Sequence, residues 1–346
     1  MIITHHAELY LSDGDLVIHS NNGDGPAAVA FRVHKGLLAY NSPIFRDMLA
    51  LPCRPDVQDG YDGAPLVRLS DEARELESAL GALYNPSSLA VRRWDPGAPN
   101  QLSSAMRIAK KYEIDSIRAR VVAALEDSWP RTFADWLRFR GELAALDGTH
   151  HYGAGLATRF DDCVPEPASA IRLARDHDIP GILPFAFYTL ATIGADHDWD
   201  AERAKAADVQ KPEVRTARWS LLPPDGWQRV LRGRERLMHA VADIVRSYTD
   251  SADLMQSYSS LDCEDEDVCI DAAADIASNW EEHTLNMATV IAHARCPDPL
   301  ALLEKLYNCP VAAQKVCGTC HQKLKKRIRD EQKYIWDCLP DVFALK

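Results

Sequence analysis

The sequence predicts a mixed α+β domain followed by an all-α domain. Strand-like runs are confined to the chain before residue 70. Apolar stripes at helical spacing occupy almost everything after them. The length of 346 residues gives two domains at roughly 150 residues each, and each is long enough to bury a core. The first domain reads as a small three-stranded sheet flanked by helices, the second as helical hairpins.

Asp15-Leu-Val-Ile-His19 follows the turn signal Asp13-Gly14 and reads as the first strand. Asn21-Asn-Gly-Asp-Gly-Pro26 is a loop, because Gly and Asn tolerate positive φ and Pro cannot continue a ladder. Val29-Ala-Phe-Arg-Val33 alternates apolar and polar, so it completes a hairpin. Lys35 to Tyr40 is helical. Ser42-Pro43 opens a second helix, with Ser as the cap and Pro in the first turn, where its missing N–H costs nothing. Ile44, Phe45, Met48 and Leu49 make the apolar face of that helix. Leu66-Val-Arg-Leu69 is the third strand. Ser70 or Asp71 caps a helix with the stripe Leu76, Leu80 and Leu83. Residues 85–101, rich in Pro, Asn and Gly, form a loop. Two helices follow, one carrying Met106, Ile108 and Ala109, the other Ile117, Val121 and Leu125. Trp129-Pro130 ends the second, since the residue before proline is pushed out of α geometry.

From Thr132 onward strand signals almost vanish. Residues 147–168 are loop-like, and 195–226 are polar and end in Pro223-Pro-Asp-Gly226. Three longer helices are drawn at about 228–247, 268–294 and 320–337. The second buries Ile276, Trp280, Met287 and Ile291, the last Leu324, Ile328 and Ile335. Ala105-Met-Arg-Ile-Ala-Lys-Lys-Tyr-Glu-Ile-Asp-Ser-Ile117 aligns with Ala170-Ile-Arg-Leu-Ala-Arg-Asp-His-Asp-Ile-Pro-Gly-Ile182. Both copies read as an amphipathic helix, a tight break and a second helix. Chance combined with common helical patterning is the competing account. Two copies are too few for a solenoid.

The composition is that of a globular chain, 47% apolar and 26% charged, which rules out pervasive disorder. A net charge of −12 speaks against a broad electrostatic grip on nucleic acid. No stretch approaches the ~18 apolar residues of a membrane span. Met1-Ile-Ile-Thr-His-His has neither a basic n-region nor an apolar h-region, so no signal peptide is expected. Nine cysteines, an odd number, favour reduced thiols in cytosol or nucleus over a disulfide framework.

The words Asp13-Gly-Asp-Leu-Val-Ile18, Phe31-Arg-Val-His-Lys35 and Leu38-Ala-Tyr-Asn-Ser-Pro-Ile-Phe-Arg-Asp-Met-Leu49 supply a V-H-K…L…S-P-x-F…M-L run almost without gaps. With them, residues 8–128 resemble a BTB/POZ domain. Tyr40 and Asn41 stand where that family more often has a small residue and His. Residues 129–346 are the helical C-terminal domain. Ala109-Lys-Lys-Tyr-Glu-Ile114, Ala170-Ile-Arg-Leu-Ala-Arg175, Ile182-Leu-Pro-Phe-Ala-Phe-Tyr188 and Ile335-Trp-Asp-Cys-Leu-Pro-Asp-Val-Phe343 extend the resemblance to a large set of fungal BTB proteins, a family with few assigned functions. The resemblance implies a protein-interaction module. BTB domains form homodimers through helices near the N-terminus, many recruit cullin-RING ubiquitin ligases, and others bind co-repressors. In dimeric members a buried Asp and a basic residue form a charged pocket, carried by motif position onto Asp15 and Lys35. The competing reading has both as exposed ends of local structure. The seven residues before position 8, where the resemblance begins, leave little chain for a swapped N-terminal element.

Cys317-Gly-Thr-Cys320 is a C-x-x-C knuckle, its glycine read as permitting the tight turn that faces two thiolates at one ion. Cys263 and Cys269 form a second pair at the start of a helix. Together the four thiolates fit a closed structural zinc site clamping the last helix to the helix near 268. His321, Cys309 and Cys296 are substitute ligands. Unliganded reduced thiols and a redox pair are the other readings, although a redox C-x-x-C usually accompanies a βαβ pattern that is absent. The fungal BTB proteins resemble this chain in carrying similar cysteine pairs.

Asp262-Cys-Glu-Asp-Glu-Asp267 lacks the glycine and ligand spacing of a calcium loop and reads as a solvated helix start. Lys323, Lys325, Lys326, Arg327 and Arg329 form a basic run beside the C-x-x-C, read as an exposed helix face whose stems cover apolar surface. His5-His6 and His150-His151 are adjacent pairs in flexible segments, poor chelates because strand neighbours point to opposite faces. His34 is a packing histidine. No Walker, zincin, nucleophile-elbow or dinucleotide motif is present, so no enzyme is expected. The reading is a non-enzymatic scaffold: a homodimer, a substrate adaptor for a cullin ligase, with one structural zinc and no membrane or nucleic-acid partner. The alternative is a transcriptional regulator that assembles a co-repressor on the BTB domain and touches DNA with its Cys/Lys end.

Overall fold

The computed structural model describes the chain except residues 1, 22–26, 52–59, 153–159, 205–214, 252, 255–262, 264, 287–291, 293–294, 311–314 and 346. Two compact units emerge. The first comprises Met1–Trp129, Asp162–Glu166 and Leu173–Ile179; the second comprises Pro130–Asp161, Pro167–Arg172 and Pro180–Lys346. Among the described residues no helix is long and apolar enough to cross a membrane.

The first unit is built on a five-stranded sheet rather than a three-stranded one. Its strands are β1 (Ile2–Tyr10), β2 (Leu16–Asn21), β3 (Ala27–Val33), β4 (Gly60–Tyr61) and β5 (Ala64–Glu72), in the order β1-β3-β2-β5-β4. The expected hairpin is present: β2 and β3 pair antiparallel from Leu16↔Val33 to Asn21↔Ala28. Its loop, 22–26, lies outside the described residues. β1 pairs parallel with β3, and its register shifts between His5 and Tyr10. That irregularity is why the alternation of a regular strand is missing from Ile2–Tyr10. His6 sits in it, Nδ1 accepting the backbone N–H groups of Glu8 at 3.2 Å and Leu9 at 3.0 Å. The segment is therefore an ordered strand, not a flexible lead. Its two histidines do point apart: His5 stacks on Tyr10 at 3.8 Å, and His6 on Phe31 at 5.1 Å.

α1 (Lys35–Asn41) and α2 (Pro43–Ala50) meet at Ser42, whose Oγ caps α2 by accepting the Phe45 N–H at 3.0 Å. The same hydroxyl donates to the Tyr112 carbonyl, and the Tyr112 ring stacks on Phe45 at 4.4 Å. The Tyr112 hydroxyl donates to Asp71, and Lys111 Nζ donates to the same carboxylate at 2.6 Å. Burial, reinforced by Asp71, raises the Tyr112 hydroxyl above its ordinary range. Asp71 does not cap the next helix. Strand β5 continues to Glu72, α3 (Ala73–Tyr84) starts there without a side-chain cap, and the buried Asp71 is held by these two distant donors.

After α3 the expected loop contains a 3₁₀ turn at Pro86–Leu89, and α4 (Ala98–Lys111) already begins inside it. α5 (Asp115–Ser128) buries Ile117, Val121 and Leu125 as its spacing requires. α6 (Phe133–Tyr152) and α7 (Pro167–Asp176) follow, α6 running well into the stretch read as loop.

The repeat is real in local geometry. Glu113, after α4, has φ +53°, and Asp178, after α7, has φ +54°. Ile114 N–H bonds the Ala109 carbonyl at 2.8 Å, and Ile179 N–H bonds the Ala174 carbonyl at 2.8 Å. Both helices thus end in the same left-handed, six-to-one cap. Lys110 Nζ donates to the Asp176 carbonyl at 2.8 Å, and Arg118 donates to the Asp178 carbonyl at 3.3 Å. Cations set against the free carbonyls of a helix C-terminus hold Leu173–Ile179 to the first unit.

His19 and His177, both buried in this unit, are held below the ordinary imidazole range. Burial is the main cause for each. Arg68 and His5 add to it at His19, and Lys110, Arg107 and Arg118 at His177, against Asp176. As pH falls below about 6.5 the unfolded chain takes up protons that the folded unit refuses, so stability falls with pH. The urea midpoint is expected to drop between pH 7 and pH 5, and His19→Gln to flatten that slope. An unchanged slope in the variant would count against the burial account.

Among its described residues the regular structure of the second unit is helical apart from one isolated bridge, Asp198↔Ala217. Its further helices are α8 (Leu183–Ala191), α9 (Trp199–Ala204), α10 (Pro224–Thr249), α11 (Glu266–Asn279), α12 (Pro299–Asn308) and α13 (Gly318–Val342). The long helix expected over 268–294 is instead α11 followed by a π-helical turn, Trp280–Thr284. Ile276 and Trp280 are buried; Met287 and Ile291 lie outside the described residues. α12 falls in a stretch where no helix was expected. Asp298 caps it, accepting the Ala301 N–H at 2.9 Å, and also accepts the Tyr188 hydroxyl of α8. Phe185 meets Trp336 at 5.4 Å, and Phe187 meets Phe343 at 5.7 Å. The words around 182–188 and 335–343 therefore form one aromatic core.

Candidate metal centre

The four cysteines singled out by spacing converge. Cys263, Cys269, Cys317 and Cys320 place their sulfurs within 4.8 Å of one another. Cys263 lies just before α11, and the buried Cys269 within its second turn, where Asp265 caps the helix by accepting the Val268 N–H at 3.2 Å. Cys317 is the N-cap of α13, and its sulfur accepts the Cys320 N–H at 3.4 Å. Cys320 follows three residues later, on the same side of the helix and fully buried. Gly318 is not needed sterically, because a Cβ there would meet nothing within 4 Å. The start of the helix, not a glycine turn, aims the two sulfurs.

The sulfur of Cys263 lies 3.4 Å from that of Cys320 and 3.9 Å from that of Cys317. A tetrahedral ion bound at about 2.3 Å would set its sulfurs about 3.8 Å apart, so the cluster has the right size. A further amide, Cys317 N–H, donates to the Cys269 sulfur at 3.3 Å. Such bonds stabilise thiolate charge and orient ligands, as an outer shell does. Burial raises the thiols of Cys269 and Cys320, and at Cys320 the neighbouring thiols raise it further. Four sulfurs packed this closely, two of them buried, cannot all ionise unaided. A divalent cation bound there would supply the missing charge and displace the protons.

Four thiolates around one ion would fill a tetrahedral shell and leave no position for substrate, the ligand set of a structural site. His321, Cys309 and Cys296 are not among the grouped ligands of the described residues. Asp265 caps α11, and Glu266 and Asp267 occupy its first turn, the arrangement read for the acidic run; 262 and 264 lie outside the described residues.

The basic run is partly turned inward. Arg327 donates to the Asp253 carbonyl at 2.9 Å and lies over the Tyr248 ring at 5.1 Å. Arg329 donates to Glu304 at 3.2 Å and lies over Tyr307 at 3.6 Å, and Lys325 covers the same ring at 4.6 Å. Sequence reasoning placed the run on an exposed face and missed these partners, which come from distant helices.

Asp15 and Lys35 are adjacent but make no buried ion pair. Asp15 is exposed, and its Oδ1 accepts the Lys35 backbone N–H at 2.7 Å, so the carboxylate secures the start of α1. His34 packs as expected, its ring 5.9 Å from that of Tyr84, whose hydroxyl accepts the His34 N–H at 2.9 Å. The side chains of His150 and His151 lie outside the described set. No family model matches the chain, and no curated protein matches it.

Proposed function

We propose that the protein is a non-enzymatic scaffold. Its first unit serves as a BTB/POZ-type docking platform, and its helical unit is pinned by one structural zinc on Cys263, Cys269, Cys317 and Cys320. The observation that carries the docking reading is the surface of the α1–α2 hairpin. Tyr40 is 87% exposed, Leu51 66% and Ile44 39%, within twelve residues of chain. A contiguous apolar patch marks an interaction surface, and the docking reading takes these three side chains, close in sequence, to form one. A second copy is the occupant this reading assigns, and a cullin the further partner that an adaptor would recruit.

Sedimentation of the full chain is expected to show a dimer. Tyr40→Glu, at a position where the side chain supports no core, is expected to weaken the dimer about tenfold or more, since losing 1.4 kcal/mol is one decade. A monomeric wild type, or a variant that dimerises equally well, would remove the homodimer from the proposal. Capture of a purified cullin by the wild type would support the adaptor role, and its failure at micromolar concentration would withdraw it. The regulator reading, with DNA at the Cys/Lys end, has less support, because Arg327 and Arg329 are engaged within the unit.

A further inference from the structure

We infer that Cys263 and Cys320 are also an oxidation site for a peroxide, closing to a disulfide and surrendering the metal. The inference rests on the zinc reading of the same four residues. Their sulfurs lie 3.4 Å apart across 57 residues of chain, closer than those of Cys263 and Cys317 at 3.9 Å. The four sulfurs are not equivalent. Backbone amides donate to Cys269 at 3.3 Å and to Cys317 at 3.4 Å, which damps the nucleophilicity of those two. Cys263 receives no such bond among the described residues and is part-exposed, whereas Cys320 is fully buried. Of the two part-exposed sulfurs, a small oxidant therefore meets the more nucleophilic at Cys263, and the Cys320 sulfur 3.4 Å from it is one the oxidant does not reach.

The step balances with hydrogen peroxide. The Cys263 sulfur attacks one peroxide oxygen; the O–O bond breaks, and the departing hydroxide is protonated to water. Cys263 is then a sulfenic acid. The Cys320 thiolate attacks that sulfur; the S–S bond forms, the S–O bond breaks, and the second hydroxide leaves as water. Two sulfurs are oxidised by two electrons in total, and the peroxide is reduced by two. Cys269 and Cys317 remain, too few to hold the ion, and take up two protons. One peroxide and four protons thus yield one disulfide, two thiols, two waters and the free cation.

The test uses the full chain purified under reducing conditions, desalted and assayed for zinc. Hydrogen peroxide is then added in steps, with a chromophoric chelator reporting release and peptide mass spectrometry mapping disulfides. The expected result is zinc release in step with one Cys263–Cys320 disulfide per chain, reversed by a thiol reductant with added zinc. Cys263→Ser is expected to slow peroxide-driven disulfide formation about tenfold or more, while Cys163→Ser leaves it unchanged. Zinc present at the start but retained under excess peroxide overturns the inference, as does release with a Cys317–Cys320 bridge instead. Absence of zinc at the start counts against the metal reading itself, a separate outcome. Should Cys263→Ser fail to fold, the mapping on the unmodified chain decides alone.

Discussion

Removing the metal, or the buried ligand Cys320, is expected to cost the helical unit at least about 3 kcal/mol, which is a fall of roughly 6–12 °C in melting temperature for a unit of this size. The size follows from what the cluster joins. Cys263 and Cys269 belong to the start of α11, Cys317 and Cys320 to the start of α13, and 48 to 57 residues separate the bonded pairs. A tetrathiolate bond set closes that long loop and ties two helix N-termini to one point. Isolated zinc modules derive about 10–16 kcal/mol from such a site, but they have almost no core of their own. Here Leu300, Leu303, Leu324, Ile328 and Leu339 are buried regardless, so the unit is weakened rather than abolished. Cys320→Ser leaves a hydroxyl at a fully buried site, and the remaining three sulfurs bind the ion less tightly. Differential scanning calorimetry with and without chelator checks the prediction. Chelator should lower the melting temperature of the wild type and leave Cys320→Ser almost unchanged, and Cys309→Ser should behave like the wild type. Equal melting of wild type with and without chelator, under reducing conditions, would exclude a structural ion.

The cysteine cluster is legible in the sequence because cysteine is scarce and its chemistry is narrow. Two pairs spaced for one ion are visible without knowing the fold, and the fold then needed only to bring two helix starts together. The sheet was less legible. β2 and β3 are announced by buried apolar residues such as Val17, Ile18, Phe31 and Val33, and β5 by the part-buried Leu66, Val67 and Leu69. β1 is an edge strand with a shifted register, so His5 and His6 break the pattern, and β4 is only Gly60–Tyr61. Strands whose stability comes from pairing rather than from burial leave little trace in sequence. Asp71 departs from its expected capping role for a related reason. As a carboxylate before a helical stripe it resembles a cap, and only the distant Lys111 and Tyr112 show why it is buried instead. The break in the helix after Asn279 has no proline or glycine to mark it, whereas Pro299–Asn308 carries its own signal, the cap Asp298 followed by a first-turn proline. The repeat gave more than its residues promised, because Glu113 and Asp178 adopt the same left-handed cap although neither is the glycine that usually occupies it.

Gly233→Ala is expected to destabilise the helical unit by about 1–3 kcal/mol, the usual cost of forcing volume into a filled core. On propensity alone the opposite sign holds, since replacing a mid-helix glycine by alanine gains up to about 1 kcal/mol. Packing decides. A Cβ at Gly233 would overlap the edge of the Phe343 ring, with Cζ at 2.9 Å, and Phe343 is fully buried with Phe187 stacked 5.7 Å away. The ring cannot retreat, because Arg229 holds the Phe343 carbonyl at 3.0 Å, and the preceding Trp336 is itself wedged against Phe185. Gly81, in the middle of α3, is the control: a Cβ there meets nothing within 4 Å, so Gly81→Ala should stabilise by about 0.5–1 kcal/mol. The same chemical change thus carries opposite signs at two helical sites. If the overlap with Phe343 is the cause, Phe343→Leu in the Gly233→Ala background should recover part of the loss, although Phe343→Leu alone is destabilising. A double-mutant cycle in urea measures that coupling. Additive losses would mean that Gly233 matters through its backbone, and a gain in Gly233→Ala would mean that α10 and the end of α13 are farther apart than this packing has them.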